Sequence, residues 1–303
     1  MSSSRRVTLV LLVVLAIAGG LWYRTHPRLA RNLLFGRTKG CSLSQSVAGD
    51  RFLSEQLETA GGLAMRGKLL ARDQGLEQWQ TSMGTYWVPQ GSSNAVFYDL
   101  SEQHRKIYGA GERGVRNGDV VLDCGANVGV YTREALDRGA KLVVAIEPAP
   151  ENVEVLRRNF APEIAAGRVI VYPKGVWDID DVLKLQVDPQ NSARDTLMGH
   201  IIGPGVHSID VPLTTIDKLV AELNLPRVDF IKMDIEGAET KAVAGASHTI
   251  AQYHPRMALC LYHLPGDPVD VPAAVAHAYN GYRLEVTCIC SDAKIGPEVG
   301  HFF

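Results

Sequence analysis

The sequence predicts an α/β chain built on a doubly wound, mostly parallel sheet, and three observations carry that expectation. From Asp119 onward apolar runs alternate with helix-patterned stretches, the pattern of strands joined by crossover helices. The run Val120-Val121-Leu122-Asp123-Cys124 ends in a glycine-spaced turn, Gly125-Ala126-Asn127-Val128-Gly129, that opens a helix. The run Leu142-Val143-Val144-Ala145-Ile146 then closes on Glu147-Pro148, a continuous apolar strand tipped by a carboxylate.

A strand feeding such a turn points backbone N–H groups and a helix N-terminus at an anionic group above the sheet edge. Glycine is needed where a Cβ would block a positive φ or the approach of a ligand. The spacing is Gly-x-x-x-Gly, with Asn127 where a dinucleotide fingerprint places its second glycine, so a pyrophosphate has less room. That favours a ligand presenting a carboxylate and an amine, such as S-adenosylmethionine, over NAD. Glu147, 24 positions after Asp123, is placed to accept hydrogen bonds from two ribose hydroxyls. The same residue also suits an ordinary acid at a helix N-terminus before Pro148.

The chain of 303 residues, 46% apolar and 21% charged, is long enough for one large α/β domain with appendages. A formal charge of −2 gives no electrostatic case for nucleic-acid binding. Residues 1–24 are expected to form a membrane anchor: Val7 to Tyr23 is uncharged, follows Arg5-Arg6 and ends in Trp22-Tyr23. Ala16-Ile17-Ala18 leaves a cleaved signal peptide open as the alternative. Arg24, Arg28, Arg31, Arg37 and Lys39 follow the span, which places the downstream body in the cytoplasm in a bacterial setting. Residues 25–83 read as a juxtamembrane helical connector broken at Gly61-Gly62, and residues 84–303 as the main domain.

Within that domain Thr85–Val88 reads as a short strand and Asn94–Tyr108 as a helix. Strands are then predicted at 120–124, 142–146 and 168–172, with helices at 129–138 and 150–160 between them. An irregular stretch, 177–208, holds an edge or hairpin strand at 182–187 and is expected to shape a substrate pocket. Strands return at 228–233, 256–262 and 282–288, with His301-Phe302-Phe303 as a final edge. The five cysteines are odd in number and several fall in strands, so buried thiols are expected rather than a disulfide framework. Cys288-x-Cys290 is too tight for a usual zinc pair.

The second chemical signal is Asp229-Phe230-Ile231-Lys232-Met233-Asp234-Ile235-Glu236-Gly237-Ala238-Glu239, which brings a lysine and three carboxylates to one strand tip. Charges are not normally packed so densely at a strand end. On a parallel sheet that tip faces the same crevice as Asp123 and Glu147. His263, after the apolar strand Met257–Tyr262, projects from another tip toward it.

Three blocks in this order, Val121 to Gly129, Leu213-Thr214-Thr215-Ile216-Asp217-Lys218-Leu219, and Ile231 to Glu239, make the chain from about Thr85 onward resemble the FkbM family of S-adenosylmethionine-dependent O-methyltransferases. The resemblance implies a class I methyltransferase fold, Rossmann-like, with seven strands of which the last runs antiparallel. It implies that Asp123, Gly125, Ala126, Asn127 and Gly129 hold the methionine end of the cofactor, Glu147 the ribose, and the Gly175-Val176-Trp177-Asp178 turn, through Val176, Trp177 and Asp178, the adenine. The acceptor is then a hydroxyl of a glycan, a lipid-linked sugar or a small metabolite. Asp234 or His263 is the expected general base, with Lys232 and Glu236 orienting the acceptor. The carboxylates could also hold a divalent cation, but spacing alone assigns no metal ligand. Two readings compete with the O-methyltransferase: a NAD-dependent oxidoreductase on a similar sheet, and a membrane-anchored protein that binds the cofactor without turnover.

Overall fold

The computed structural model describes residues 19–192, 195–198 and 202–303. Most of the expected span, Val7 to Tyr23, lies outside the described residues, and among the described ones no helix is long and apolar enough to cross a membrane. The described residues divide into two compact units, those of 19–54 with 288–297, and those of 55–287 with 298–303.

In the first unit helix α1 (Pro27–Leu34) starts on a proline, whose missing N–H costs nothing at a helix N-terminus. It buries Leu29 against Cys290 and Ile295, with Cys41 packed beside them. His26 Nδ1 and Asp50 Oδ2 lie 2.8 Å apart, and Arg31 pairs with Asp292 at 2.8 Å. Cys41 and Cys288 form a disulfide, with Cα atoms 6.4 Å apart. This overturns the expectation of free thiols for that pair, since the partners are 247 residues apart in sequence and only the fold brings them together. Cys124, Cys260 and Cys290 are free and buried, as expected.

Helix α2 (Leu43–Arg66) runs through Gly61-Gly62 without a break, against the sequence expectation. Two glycines cost a helix about 1 kcal/mol each. Burial of Gln56 and Leu63 on the same helix offsets that cost.

In the second unit the expected helical connector gives way to strands. The strands β1 (Lys68–Asp73), β2 (Leu76–Thr81) and β3 (Gly84–Pro89) form an antiparallel sheet. Gln74 and Gly75 both take positive φ, 50° and 79°, the backbone of a two-residue hairpin turn. The turn was hidden in the sequence because β1 is almost wholly exposed and shows no apolar alternation. Helix α3 (Ser93–Arg105) follows and leads to the main sheet.

The main sheet has seven strands. In chain order they are β4 (Val120–Cys124), β5 (Leu142–Ile146), β6 (Val169–Tyr172), β10 (Phe230–Met233), β11 (Arg256–Cys260), β12 (Leu284–Cys290) and β13 (Ile295–Phe302). Their spatial order is β12-β13-β11-β10-β4-β5-β6. The strands β11, β10, β4, β5 and β6 are parallel, and β13 runs antiparallel to β11. The last strand is therefore antiparallel as expected, yet it is not an edge: it inserts between β12 and β11, and every residue in it is buried.

The continuous apolar runs are explained by burial on both faces. On β4, Leu122 and Cys124 join one core cluster while Val121 joins the other. On β5, Val144 and Ile146 face one way, and Val143 and Ala145 the other. Helices α4 (Val130–Asp137), α5 (Pro150–Asn159) and α6 (Ala161–Ala165) connect the first three strands. The segment after β6 forms a separate small sheet in the order β7-β9-β8, from β7 (Gly175–Val176), β8 (Asp181–Val187) and β9 (His207–Thr214). The predicted strand at 182–187 is the hairpin partner of β9 within it. Helices α7 (Ile216–Glu222), α8 (Glu239–Ala244), α9 (Ser247–Tyr253) and α10 (Asp267–Ala278) complete the unit.

Breaking the disulfide releases the longest-range covalent tie in the chain. Cys41→Ser is expected to lower stability by about 2–5 kcal/mol, read as a shifted urea midpoint with the disulfide-intact protein as reference. An unchanged midpoint would show that the disulfide is not formed.

Candidate functional site

The site begins with the register of two neighbouring strands. In the parallel pair β4–β10, Asp123 stands directly beside Lys232, and both side chains are buried. Lys232 Nζ lies 3.3 Å from Asp123 Oδ1 and donates to Gly125 O at 2.7 Å and Cys124 O at 3.3 Å. Thr132 Oγ1, from the first turn of α4, donates to Asp123 Oδ2 at 2.6 Å. Burial pushes the Asp123 carboxyl up while Lys232 and Thr132 pull it back, and Asp123 in turn holds the lysine above its ordinary range despite its burial. The pair clamps the start of the glycine turn.

Gly125 has φ +76°, and a Cβ built on it would sit 2.0 Å from the carbonyl oxygen of Asp234. At Gly129, φ +92°, a Cβ would meet the Phe160 ring at 2.1 Å. The first glycine lets two loops touch backbone to backbone; the second lets α4 start tight against α5. Asn127 takes a left-handed φ of 48° and donates its N–H to Glu147 Oε2 at 2.9 Å, while Ala149 N donates to Glu147 Oε1 at 2.9 Å. Glu147 is thereby fixed at the strand tip, with lone pairs left for a ligand.

These loops open on one cavity of about 900 Å³, including its solvent mouth. Gly125, Ala126, Asn127, Glu147, Val176, Lys232, Asp234 and Glu236 line it, so the structure brings together residues that the sequence places on four strand tips. Five predicted site residues do not line it. Asp123 lies under the turn, fully buried and holding Lys232. Gly129 is sealed by Phe160. Trp177 packs against Ala149, Leu185 and Ala238, and Asp178 turns away to pair with Lys241 at 2.7 Å, so only Val176 of the expected adenine turn reaches the cavity. His263 stands behind Asp234 and Glu236, with its side chain 7% exposed. The Leu213–Leu219 block is structural: Thr215 caps α7, and Asp217 accepts from Thr249 N at 2.8 Å at the start of α9.

Four carboxylates crowd one end of the cavity. Asp234 and Glu236 are joined there by Asp99 and Glu102, which the i, i+3 spacing on α3 puts on one helix face. Neither Asp99 nor Glu102 was singled out from the sequence, because α3 precedes every recognisable motif and two acids on a helix ordinarily face water. Burial, then Asp234 and Glu236, pushes Asp99 up to about 7. Tyr108 Oη donates to Asp234 Oδ2 at 2.6 Å and lines the same end, also unforeseen. Burial would raise Asp234, but His263, Lys232 and Tyr108 hold it far below the usual carboxylate range. Burial would lower His263, but Asp234, Glu236 and Glu239 hold it far above. Neither expected general base is therefore an effective proton acceptor at neutral pH, the carboxylate being too weakly basic and the imidazole already protonated. The other end is lined by Pro148, Val176, Leu185 and Leu197, with Asp195 pushed up to about 8 by burial. Asp195 belongs to the predicted pocket-shaping stretch but carried no signal of its own.

Removing one partner of the buried pair leaves the other charge uncompensated. Lys232→Met is expected to cost about 3–5 kcal/mol of stability in denaturant titration, and an effect under about 1 kcal/mol would remove the pair from its structural role. Gly125→Ala, which drives a Cβ into the Asp234 carbonyl, is expected to force the two loops apart and lower the thermal midpoint in calorimetry; an unchanged midpoint would show that the contact is not tight.

The chain is 27% identical over 151 residues to the 2-O-methyltransferase NoeI of Sinorhizobium fredii, covering 44% of this chain and 59% of that protein. It is 27% identical over 158 residues to the 31-O-demethyl-FK506 methyltransferase FkbM of Streptomyces tacrolimicus, covering 43% and 60%. The chain thus spans about three fifths of the length of these curated relatives. A crystal structure of methyltransferase FkbM from Methylobacillus flagellatus superposes with a TM-score of 0.48 at 19% identity, over 84% of this chain and 60% of that one. The profile of the methyltransferase FkbM domain matches residues 123–284, a little over half of the chain, and the chain belongs to the FkbM methyltransferase family.

Proposed function

We propose that the protein is an S-adenosylmethionine-dependent O-methyltransferase acting on a neutral hydroxyl, in a glycan, a lipid-linked sugar or a small metabolite. The observation that carries this is the single cavity shared by the Gly125 turn, Glu147 and the Asp234–Glu236 tip. The residues suit the cofactor: a backbone cradle with no room for a Cβ at Gly125, a fixed carboxylate at Glu147 for the ribose, and an apolar slot of Val176, Leu185 and Leu197 for a ring. Bound there, adenosylmethionine supplies a methyl group on a sulfonium, already activated for in-line displacement. Asn127 and the N-terminus of α4 give donors for its carboxylate, and the acidic end favours its ammonium.

What remains for the chain is to align the acceptor oxygen and take its proton. Tyr108, Asp234 and Glu236 present hydrogen-bonding groups to a polyol, and Asp99, raised to about 7, is the carboxyl tuned to receive the proton. The concentration of carboxylates repels phosphorylated or sulfated acceptors. NoeI is a 2-O-methyltransferase and the Streptomyces protein a 31-O-demethyl-FK506 methyltransferase, which supports a hydroxyl acceptor. An oxidoreductase reading lacks the glycine that Asn127 replaces, and a binding protein without turnover leaves Asp99 and Tyr108 without a chemical role.

The N-terminal anchor is part of the proposal, supported by the exposed Leu21, Trp22 and Tyr23 beside Arg24. The Cys41–Cys288 disulfide supports an oxidising compartment for the body, against the cytoplasmic placement expected from the flanking charges, and a body placed there needs the cofactor delivered to it.

The reading is tested with labelled adenosylmethionine and fractionated glycan, lipid and metabolite extracts: label should enter a neutral, hydroxyl-bearing fraction. Binding of NADH in preference to adenosylmethionine would reject it. Glu147→Gln is expected to weaken cofactor binding about tenfold, by loss of one charge-assisted contact. Transfer should rise as pH climbs through about 7, where Asp99 loses its proton. Asp99→Asn should remove that limb and lower kcat about 10²–10⁴-fold; an unchanged pH profile assigns the proton to another group.

A further inference from the structure

We infer that the end of α1, Leu33-Leu34-Phe35 with Trp22 and Tyr23 beside it, seats on the surface of a bilayer that carries anionic headgroups. The inference rests on the membrane location in the proposed function and not on its methyl-transfer chemistry. Residues 19–25 are helical, and His26, with φ −132° and ψ 58°, bends that helix into α1. Across the bend lies one groove of about 610 Å³, including its open side, lined by Gly19, Trp22, Tyr23, Ala30, Leu33 and Leu34. The aromatic end of the uncharged run Val7 to Tyr23 thus joins the last turn of α1 in one apolar patch. Leu21 is 60% exposed, Leu34 76% and Phe35 68%. Single apolar side chains at a surface need no partner, but a contiguous group of this kind marks a docking surface.

The charge of the same unit points to the occupant. Residues 19–54 with 288–297 hold seven arginines and lysines against two acids, Asp50 and Asp292, although the whole chain carries a formal charge of −2. Both acids are already engaged: Asp50 lies 2.8 Å from His26 Nδ1 and 3.4 Å from Arg28 Nε, and Asp292 lies 2.8 Å from Arg31. Arg24, Arg37 and Lys39 are exposed and form no ion pair with any described residue. Arg37 stands over the Phe35 ring at 5.4 Å, so a cation without a counter-ion borders the apolar tip directly. A second copy of the chain would set these cations against their like. A bilayer meets both needs, since its phosphates face the cations while its acyl boundary takes the leucine and aromatic side chains. Long basic side chains reach such headgroups while their stems lie along apolar neighbours.

The tip is held in shape before it meets lipid. Helix α1 buries Leu29, Ala30 and Asn32, and Asn32 Nδ2 donates to Ser291 O at 2.8 Å, which turns the opposite face outward. Gly36, with φ +62°, ends the helix: its N–H donates to Leu33 O at 3.3 Å and Arg37 N–H donates to Asn32 O at 2.8 Å, the paired bonds of a left-handed glycine cap. Ile295 N then donates to Arg37 O at 2.9 Å and ties the cap to the rest of the unit. A surface already ordered loses little freedom on binding. The patch begins after Ala16-Ile17-Ala18, so it stays with the body whether the preceding run spans the membrane or is cleaved.

The test places a nitroxide at Leu34→Cys, and in a second protein at Phe35→Cys, in the full chain reconstituted into vesicles of phosphatidylcholine mixed with phosphatidylglycerol. The native thiols are buried or disulfide-bonded, so labelling is selective. Electron paramagnetic resonance compares collisions with oxygen, which dissolves in lipid, and with a nickel chelate, which stays in water. Both labels are expected to favour oxygen over the chelate, in contrast to a label at Val182→Cys, an exposed position of the second unit. Arg37→Glu with Lys39→Glu is expected to lower the insertion equilibrium at least about tenfold, since each cation at an anionic surface counts for about a factor of five. Nickel access at Leu34 and Phe35 equal to that at Val182, or the same protection in pure phosphatidylcholine, overturns the inference. Dipolar broadening between labels on neighbouring chains would give the patch to a second copy and overturn it too. Flotation after alkaline carbonate reads the anchor separately: a chain that floats with water-accessible labels keeps its anchor and loses this surface, and a chain released by carbonate with protected labels does the reverse. Adenosylmethionine binding in calorimetry is expected to be the same in native and Arg37→Glu, Lys39→Glu protein, so its loss from both would strike the methyl-transfer reading alone.

Discussion

The buried ion pair between Asp123 and Lys232 is the contact on which the site depends. It joins adjacent parallel strands at the same register position, so the strand carrying the glycine turn and the strand carrying the acidic tip cannot slide past each other without separating two buried charges. A buried pair is weak evidence for net stability, because desolvation offsets most of the attraction. What it supplies is position. Lys232 directs its remaining donors to the carbonyls of Cys124 and Gly125, and Gly125 lies against the Asp234 backbone, so both loops are held by one ammonium group.

With the two loops fixed, the chemistry of the cavity is set by charge. Its apolar end, with Val176, Leu185 and Leu197, can enclose a ring; its other end gathers Asp99, Glu102, Asp234 and Glu236. Carboxylates brought together out of water repel, and the protein accommodates them in different ways. Asp99 is pushed up to about 7, Asp234 is held down by His263, Lys232 and Tyr108, and His263 is surrounded by three acidic side chains. Such an end is poorly matched to anionic partners and well matched to cations and neutral hydroxyls. It also explains why Asp234 and His263 do not suit proton abstraction, since their mutual contact leaves the carboxylate weakly basic and the imidazole holding its proton.

The main sheet was legible because its strands are buried on both faces, which writes continuous apolar runs into the sequence and leaves little choice of period. The glycine turn and the acidic tip were legible because Gly125 and Asp234 sit at strand ends where only particular residues fit. The hairpin at 68–81 was not, since strands facing water carry no alternation. Nor was the contribution of α3: Asp99 and Glu102 look like ordinary surface acids until the fold turns that helix toward the cavity. The disulfide between Cys41 and Cys288 was hidden for a related reason, as nothing local distinguishes a cysteine that will meet a partner 247 residues away.

The sequence by itself determined the alternating fold, the loop that cradles a ligand, and Glu147, Asp234 and Glu236 as residues at strand tips. These follow from local patterns: apolar period, glycine spacing and charge next to a strand end. Tertiary structure decided the division of labour among them. It buried Asp123 beneath the turn, withdrew His263 behind two carboxylates, turned Asp178 toward Lys241, and brought Asp99, Glu102 and Tyr108 into the cavity. Whether a side chain touches a ligand or supports one that does depends on packing between segments far apart in the chain, and spacing along the sequence carries no record of that.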